Sequence, residues 1–544
     1  MRARPGKAAL FEQFAVDGLT HMFGNPGTVE QGFLDAGTTS ATQYVLTLHE
    51  SVAVGMADGY ARAGQRPGLV QLHSSVGLGN GIGMLYQAKR GGTPLVVVVG
   101  EAGIRYDATD GQMAADLVAM AEPVTKYVTR VVDPSSLLRV LRRAVKIAMT
   151  PPRGPVVVVL PADVLDQVTA EPAVATPLPD TRVVPQDSAV SEAARLLLGG
   201  ERPLILMGDG VAVSGAQSEL AEVAELLHAP VWGVNSSEVN FDTTHPLYGG
   251  QLGHMFGKDS ARVVADADAV LIVGTYVFPE VFPLLDSPFR EGAKVVHIDL
   301  DTYEIAKNFP VDSALAADPR STLAALAHQL RRLGPPRPAA ELGGYPAGAE
   351  PLALRGPGPG TTDPVLDGFV RALARSAPEN LAVFDEALTA SAPLAHYLPP
   401  RVPGRFFQTR GGSLGVGIPG AMGVKLARPD LRVVGFTGDG GSMYTFQALW
   451  TAARHGIGAK FVICNNRRYR LLDLNIEQYW RDMGMARHAY PDAFDLSRPD
   501  IRFAELAAAL GVPGRRVEKP QQIDDAVEAM LGHEGPFLID LVID

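Results

Sequence analysis

Two short polar motifs, each placed directly after an apolar run, have the composition of a metal and phosphate site. The first is GDGG at 438–441, after RVVGFT, and the second is Asn465-Asn466 at the end of AKFVICNN. The glycines let a diphosphate approach backbone N–H groups. A carboxylate beside a phosphate repels it unless a cation lies between them, and the oxygens of Asp439 and Asn466 suit Mg²⁺. Taken alone, GDGG is also typical of a tight turn.

The segment between these motifs decides whether they meet. A helical pattern, SMYTFQALWTAARHG, separates them, so strand, helix and strand are predicted in succession. In such a crossover the strands are parallel and end side by side. Asp439 and Asn466 are therefore expected at one edge of a sheet.

Glu50 is a third candidate, at the end of the predicted strand YVLTLHE and before the helical pattern SVAVGMADGYARAG. A carboxylate in such apolar surroundings can share a proton with a ring nitrogen. The alternative is a helix N-terminal carboxylate that complements the helix dipole. The neighbouring His49 should point to the opposite face of the strand and is interpreted as structural.

Apolar runs alternate with helical patterns in three successive segments, which predicts an α/β fold of three doubly wound parallel-sheet domains. The predicted domains are 1–170, 189–333 and 364–544, and Pro- and Gly-rich stretches at 171–188 and 334–363 are predicted linkers. The predicted strands are HMFGNPG, YVLTLHE, PGLVQLHSS, PLVVVVG and PVVVVLP, then RPLILMG, APVWGV, AVLIVGT and KVVHIDL, then LAVFDE, RVVGFTG, AKFVICNN and PFLIDLVI.

The composition narrows the partners to small molecules. A net charge of −11 argues against nucleic acid or an anionic membrane. The apolar runs are too short to cross a bilayer, and the N-terminus lacks the pattern of a signal peptide. A single cysteine, Cys464, excludes an internal disulfide and fits the reducing cytoplasm; it is interpreted as a buried, inert thiol.

GDG followed by NN in this context resembles the cofactor-binding motif of thiamine-diphosphate enzymes. The resemblance implies that the first domain binds the pyrimidine of thiamine diphosphate and the third domain its diphosphate. It implies Mg²⁺ held by Asp439, Asn466 and the main-chain oxygen of Arg468. The residues that it places against the diphosphate are Gly440, Gly441, Tyr444 and Thr389.

The same resemblance extends to the reacting end of the cofactor. LHESVAVGMADGYAR is similar to the family's segment around its activating glutamate, so Glu50 is implied to exchange a proton with pyrimidine N1′ and promote loss of the thiazolium C2 proton. In TRGGSLGVG, Leu414 is implied to wedge the cofactor into a bent shape, and the Gly412 carbonyl to accept from the 4′-amino group. The alternative, a core leucine, is less expected in a Gly-rich loop.

Within this family the chain is similar to the benzoylformate decarboxylase branch, through FGNPGTVE at 23–30, LHSSVGLGNGIG at 72–83 and GDGGSMYTFQALWTAA at 438–453. That branch implies non-oxidative decarboxylation of a 2-oxo acid through a cofactor-bound carbanion, with Thr28 and His73 facing the substrate carboxylate. A hydroxyl and an imidazole can bind such an acid and relay protons. For His73 the alternative is a hydrogen-bonded structural histidine.

Three departures from this branch leave the reaction open. The branch carries a second catalytic histidine in the middle domain, where this chain has Val281 and no histidine in 276–281. Thr28 replaces the branch's usual serine, and Leu471 and Asn475 stand where the branch shapes an aryl pocket. An acyloin-forming carboligase related to acetolactate synthase is therefore the alternative, and a cofactor-binding protein without catalysis is the third interpretation.

The assignment also predicts the assembly. Glu50 lies in the first domain and Asp439 in the third, yet one cofactor must touch both. Pairing across a two-fold axis satisfies both ends. The resemblance implies a homodimer or homotetramer with active sites at the dimer interface.

Overall fold

The structure is a computed structural model that describes residues 3–334 and 363–544. Three six-stranded sheets flanked by helices organise these residues, which confirms the predicted α/β class. The chain divides into two compact units, one built on the first sheet and most of the third and one built on the middle sheet. The predicted linker 334–363 lies outside the described residues except at its two ends, and the proposed domain boundaries stay a prediction.

The first sheet has the strand order β3-β2-β4-β5-β7-β6, and its strands are parallel. β1 and β8 form a separate antiparallel pair. The strands are β1 Arg4–Pro5, β2 His21–Gly24, β3 Gln43–Leu46, β4 Gly68–His73, β5 Leu95–Glu101, β6 Tyr127–Arg130, β7 Val156–Pro161 and β8 Val168–Thr169. The helices are α1 Gly6–Val16, α2 Gln31–Gly37, α3 Glu50–Gly64, α4 Ser74–Arg90, α5 Leu117–Ala121, α6 Leu137–Met149 and α7 Ala162–Asp166.

The middle sheet has the order β11-β10-β9-β12-β13-β14 and is parallel throughout. Its strands are β9 Pro203–Met207, β10 Val231–Val234, β11 Tyr248–Leu252, β12 Ala269–Val273, β13 Lys294–Asp299 and β14 Ser313–Ala316. Its helices are α8 Asp187–Leu198, α9 Gly210–Ser214, α10 Gln217–Leu227, α11 Gly257–Val264 and α12 Pro319–Leu333. A buried aliphatic core fills the space between this sheet and α8, α10 and α12.

The third sheet has the order β16-β15-β17-β18-β20-β19. Its strands are β15 Leu381–Glu386, β16 Phe406–Gln408, β17 Arg432–Gly438, β18 Lys460–Asn465, β19 Gly514–Val517 and β20 Phe537–Val542. The helices are α13 Pro364–Ser376, α14 Ser391–Tyr397, α15 Gly417–Ala427, α16 Asp439–Ser442, α17 Ala448–Arg454, α18 Arg470–Asp482, α19 Phe503–Ala509 and α20 Ile523–Gly532. All thirteen strands predicted from apolar runs are present in the three sheets.

Two predicted elements have different limits from those expected. The strand before Glu50 ends at Leu46, because His49 turns to cap the next helix: its Nδ1 accepts from the Ser51 amide at 3.2 Å. Glu50 is therefore the first residue of α3. The predicted helix after GDGG is broken into α16 and α17. Between them the Thr445 hydroxyl donates to the Gly415 carbonyl at 2.6 Å, and this bond to another segment holds a turn.

Cys464 is a buried free thiol in β18. Burial raises its pKa, which suppresses the reactive thiolate and agrees with the interpretation as an inert residue. Among residues 3–334 and 363–544, no helix combines the length and the apolar composition that a bilayer crossing requires.

Helices α3 and α15 pack at unusually short separation because glycines line their contact. The Gly59 Cα faces the Gly420 carbonyl, and Gly423 faces the Met56 carbonyl, so closely that a Cβ on either glycine would collide with backbone. This contact joins the first and third sheets within one unit. It also ties the helix that begins with Glu50 to the helix that follows the Leu414 loop.

Gly59→Ala tests this contact. The added methyl must displace the α15 backbone, and such overpacking should destabilise the protein by about 3 kcal/mol. The control is Gly532→Ala, at the exposed C-terminal end of α20, where no heavy atom lies within 4 Å of the new methyl. Thermal unfolding should show a lower midpoint for Gly59→Ala alone. Equal midpoints for the two variants would contradict the close helix contact.

Candidate active site

The GDGG and NN motifs meet at the carboxyl edge of the third sheet. β17 and β18 are parallel neighbours, with Gly438 opposite Cys464. Asp439 follows β17 as the first residue of α16, and Asn466 follows β18. The crossover expected from the sequence therefore brings these two side chains to the same sheet edge.

The Asp439 carboxylate is buried, and its two oxygens have different surroundings. Oδ1 accepts from the Gly440 amide at 2.8 Å. Oδ2 is buried with no hydrogen-bond partner. Desolvation raises the Asp439 pKa to about 6, against the opposing effect of backbone amides. An ionised oxygen left without a donor is costly, and a cation would satisfy it.

The two asparagines have separate roles. Asn465 is buried in the sheet, where its side-chain amide donates to Asp540 Oδ1 at 2.9 Å. Asn466 lies at the sheet edge, and its Oδ1 accepts from the Arg468 amide at 3.0 Å, which leaves a second lone pair for a cation. Arg467, with φ 57°, makes the tight turn between Asn466 and Arg468. Only Asn466 of the pair is placed to act as a ligand beside Asp439.

Space for a bound group remains around this edge. No atom lies within 4 Å of a Cβ built on Gly438 or Gly412, and Gly412 is exposed. Gly440 lies against the ring of Tyr469, while Gly441 is buried. Tyr444 is exposed in the turn after α16. Thr389 lies partly buried in the 3-10 turn that follows β15. Among the residues that the structure describes, no group of three or more His, Cys, Asp or Glu could hold a metal.

The Leu414 loop is held by side chains from other segments. Its glycines 411, 412 and 415 have φ between 85° and 94°, the left-handed region that favours glycine. The Ser413 amide donates to Gln87 of α4 at 3.1 Å, and the Gly415 amide donates to Glu386 of β15 at 2.7 Å. Leu414, between these two fixed residues, is only partly buried.

Glu50 lies in a small polar pocket of the first sheet. It is 4% exposed, and its carboxylate accepts from Asn80 at 3.0 Å and from Asn25 at 3.4 Å. Gly77 of α4 lies against Oε1, where a Cβ would be 3.0 Å away. Because His49 supplies the helix cap, the Glu50 carboxylate is directed to these amides and not to the α3 backbone. Glu50 still lies in the first turn of α3, so a carboxylate that complements the helix dipole stays an alternative.

His73 is fixed by a buried glutamate that the sequence interpretation did not assign. Its Nδ1 lies 2.8 Å from Glu30 Oε2, and its ring packs on Gly27. Burial raises the pKa of Glu30, and His73 opposes that shift. When Glu30 is ionised it can only accept, so His73 then donates through Nδ1 and keeps Nε2 available for a proton. The His73 ring packs on Gly27, and the exposed Thr28 is the next residue. Thr28 and His73 therefore lie close together.

Sequence reasoning missed three residues that hold the candidate side chains. They are Glu30, beside His73, Asn80, beside Glu50, and Glu386, at the Leu414 loop. Glu30 stands in FGNPGTVE and Asn80 in LHSSVGLGNGIG, two segments that carry the family resemblance. Asn80 is a polar residue in the Gly-rich helix α4, which is a usable signal. Glu386 ends a predicted strand, but nothing nearby in sequence indicates its partners.

Comparison with known proteins identifies the family. Residues 4–120 match the thiamine pyrophosphate enzyme N-terminal TPP-binding domain, residues 190–326 the central domain, and residues 389–541 the C-terminal TPP-binding domain. The chain belongs to the thiamine pyrophosphate enzyme family, as its motifs predicted. The two TPP-binding domains correspond to the first and third sheets.

Relatives from two kinds of enzyme resemble this chain over its length. A benzoylformate decarboxylase from Pseudomonas aeruginosa is 32% identical over 540 residues, covering 98% of both chains. A probable acetolactate synthase large subunit from Methanococcus aeolicus is 27% identical, covering 99% of this chain and 92% of that one. Among solved structures, a thiamine-diphosphate-dependent 4-hydroxybenzoylformate decarboxylase from Rhodococcus jostii RHA1 superposes with a TM-score of 0.86, at 27% identity and 99% coverage of both chains.

Asp439→Asn in the cofactor-free protein tests the unpartnered carboxylate. Because the folded pKa, about 6, exceeds the ordinary 3.8, wild type gains stability from Asp439 at low pH and loses it as pH rises through 6. The stability of Asp439→Asn relative to wild type should therefore increase by about 1 kcal/mol from pH 5 to pH 8. Denaturant unfolding at each pH measures it, with Asp266→Asn, on an 87% exposed side chain, as the control. A pH-independent difference would be evidence against a desolvated Asp439.

Proposed function

We propose that this chain is a thiamine-diphosphate- and Mg²⁺-dependent lyase that decarboxylates a 2-oxo acid without oxidation. The observation that carries the proposal is the buried Oδ2 of Asp439, without a donor, at a sheet edge shared with Asn466. A cation held there would neutralise Asp439 and offset the charge of a diphosphate, so the residues present fit the cofactor. The assigned ligands are Asp439, Asn466 and the Arg468 main-chain oxygen.

When bound, thiamine diphosphate supplies a carbon nucleophile and a sink for the electron pair released with CO₂. The chain supplies the proton handling. Glu50, held by Asn80 and Asn25, is assigned to exchange a proton with the pyrimidine ring. Leu414 and the Gly412 carbonyl are assigned to orient that ring, and Gly440, Gly441, Tyr444 and Thr389 to contact the diphosphate.

The substrate carboxylate is assigned to Thr28 and His73. A 2-oxo acid presents acceptor oxygens that a hydroxyl and an imidazole can bind. The Glu30 bond to His73 Nδ1 supports this role, because it fixes the ring and leaves Nε2 to hold or deliver a proton. The partner is thus a small 2-oxo acid, and no feature of the site favours nucleic acid or a membrane.

An acyloin-forming carboligase is the second candidate, and Val281 favours it. Val281 is 62% exposed in the middle unit, and the resemblance to the decarboxylase branch places it where that branch has a catalytic histidine. A site without that proton donor would deliver a proton to the product more slowly, which would leave time for carbon–carbon bond formation with a second carbonyl compound. The likeness to acetolactate synthase subunits supports the same alternative.

We further propose a homodimer, or a homotetramer of two such dimers, with each active site between two subunits. Glu50 and Asp439 must serve opposite ends of one cofactor. A two-fold axis lets the first sheet of one chain face the third sheet of its partner.

Product analysis distinguishes the two reactions. The purified protein, with thiamine diphosphate and Mg²⁺, is given pyruvate or an aryl 2-oxo acid, with and without an acceptor aldehyde. CO₂ release with free aldehyde as the main product supports the lyase, and an acyloin product supports the carboligase. If no 2-oxo acid yields CO₂ in either case, both assignments are wrong.

Glu50→Gln should slow exchange of the cofactor's C2 proton by about 100-fold or more, because an amide cannot exchange a proton with the pyrimidine. Cofactor affinity, measured by calorimetry, should change little. NMR of quenched samples in D₂O follows the exchange. Glu12→Gln makes the same chemical change on a half-exposed surface side chain and should leave the rate unaltered. An unchanged C2 exchange rate in Glu50→Gln would contradict the assignment of Glu50 as the activating residue.

Mixed dimers test the shared site. Glu50→Gln and Asp439→Ala chains should each be nearly inactive alone. When they are co-assembled, some dimers have one site free of both substitutions, so part of the activity should return. Tagged chains verify that mixed dimers form. Verified mixed dimers without activity, alongside active hybrids of wild type with either variant, would exclude sites shared between subunits.

A further inference from the structure

Glu386, the last residue of β15, is a buried carboxylate with no place in the proposed chemistry. It is 1% exposed, and both of its oxygens are fully used. Oε1 accepts from the amides of Gly415 at 2.7 Å and Val416 at 3.0 Å. Oε2 accepts from the Gly417 amide and the Thr437 hydroxyl, at 2.8 and 2.9 Å. Four neutral donors thus surround one carboxylate.

The three amides belong to the start of α15, which lacks a cap of its own. Val416 is the residue before the helix, and its apolar side chain makes no capping bond. The first amides of a helix need partners, and an anion is favoured there by the helix dipole. Glu386 provides this partner from another strand. Removal of the carboxylate leaves three amides at a buried position without acceptors.

The same carboxylate connects the two ends of the proposed cofactor site. Through Gly415 it fixes the loop that carries Gly412 and Leu414. Through Thr437 it binds β17, two residues before Asp439. The hydroxyl of Thr445, the residue after Tyr444, donates to the Gly415 carbonyl. Gly415 is therefore fixed by hydrogen bonds through both its amide and its carbonyl.

We propose that Glu386 is a positioning residue, which sets Leu414 and the Gly412 carbonyl at a fixed place relative to Asp439. The inference rests on the proposed function. A cofactor anchored at Asp439 is bent correctly only if the loop that orients its ring stays at a fixed distance from Asp439. A displacement of about 1 Å at such a position typically costs about 100-fold in rate.

Glu386→Gln is the direct test, because its NH₂ group must face an amide donor on one side or the other. C2 proton exchange should slow by about 100-fold, while the Mg²⁺-dependent affinity for thiamine diphosphate changes far less. Hydrogen exchange at Gly415–Gly417 in the cofactor-free protein should become faster. Val383→Ala is the control: it truncates a buried side chain on the opposite face of β15, lowers stability, and should leave all three readings near wild type.

Thr437→Val covers the case in which Glu386→Gln does not fold, since it removes one donor and keeps the carboxylate. It should show the same pattern with a smaller effect. Normal C2 exchange in the variants, or an equal loss in Val383→Ala, would overturn the inference, and so would affinity falling in parallel with the exchange rate. If wild type itself neither binds the cofactor nor supports exchange, the proposed function fails and this inference with it.

Discussion

The close contact of α3 with α15 is the constraint on which the rest of the first unit depends. Gly59 and Gly423 let the two helix backbones approach until side chains no longer fit between them. Each helix begins at a candidate functional feature: α3 at Glu50 and α15 just after the Leu414 loop. A rigid helix pair therefore carries the positions of the activating carboxylate and of the loop. The apolar strands of this unit contribute stability, whereas this helix contact fixes the position of α3 relative to α15.

Four carboxylates of the candidate site are buried, and they differ in their hydrogen-bond partners. Glu386 accepts from three amides and a hydroxyl, Glu50 accepts from two asparagine amides, and Glu30 contacts His73 and the Gly27 amide through Oε2 only. Asp439 Oδ2 and Glu30 Oε1 are both buried without a hydrogen-bond partner. Glu30 has a histidine beside it, whereas Asp439 has an asparagine oxygen. Cation binding is therefore assigned to Asp439, and proton handling to the groups paired with side chains.

Sequence patterns predicted the central strands of the sheets but missed most of the outermost strands. All central strands follow from apolar runs, because both of their faces are buried. Seven strands were missed. β6, β11, β14, β16 and β19 are outermost in the three six-stranded sheets, where half-exposed residues and short length remove the signal, and β1 and β8 form the separate two-stranded pair. Asp439 and Glu50 could be proposed as site residues from the sequence because each follows a recognisable strand. The partners Asn80 and Glu386 were not, since their contacts join segments distant in the chain.

The central claim is that Asp439 and Asn466 hold the cation that binds a diphosphate. A crystal structure with thiamine diphosphate and Mn²⁺ in place of Mg²⁺ tests it most directly, since anomalous scattering locates the metal. The account predicts a Mn²⁺ peak at about 2.1 Å from Asp439 Oδ2, with the Asn466 side-chain oxygen and the cofactor's phosphates completing its ligands. A bound cofactor whose metal touches neither residue would contradict it.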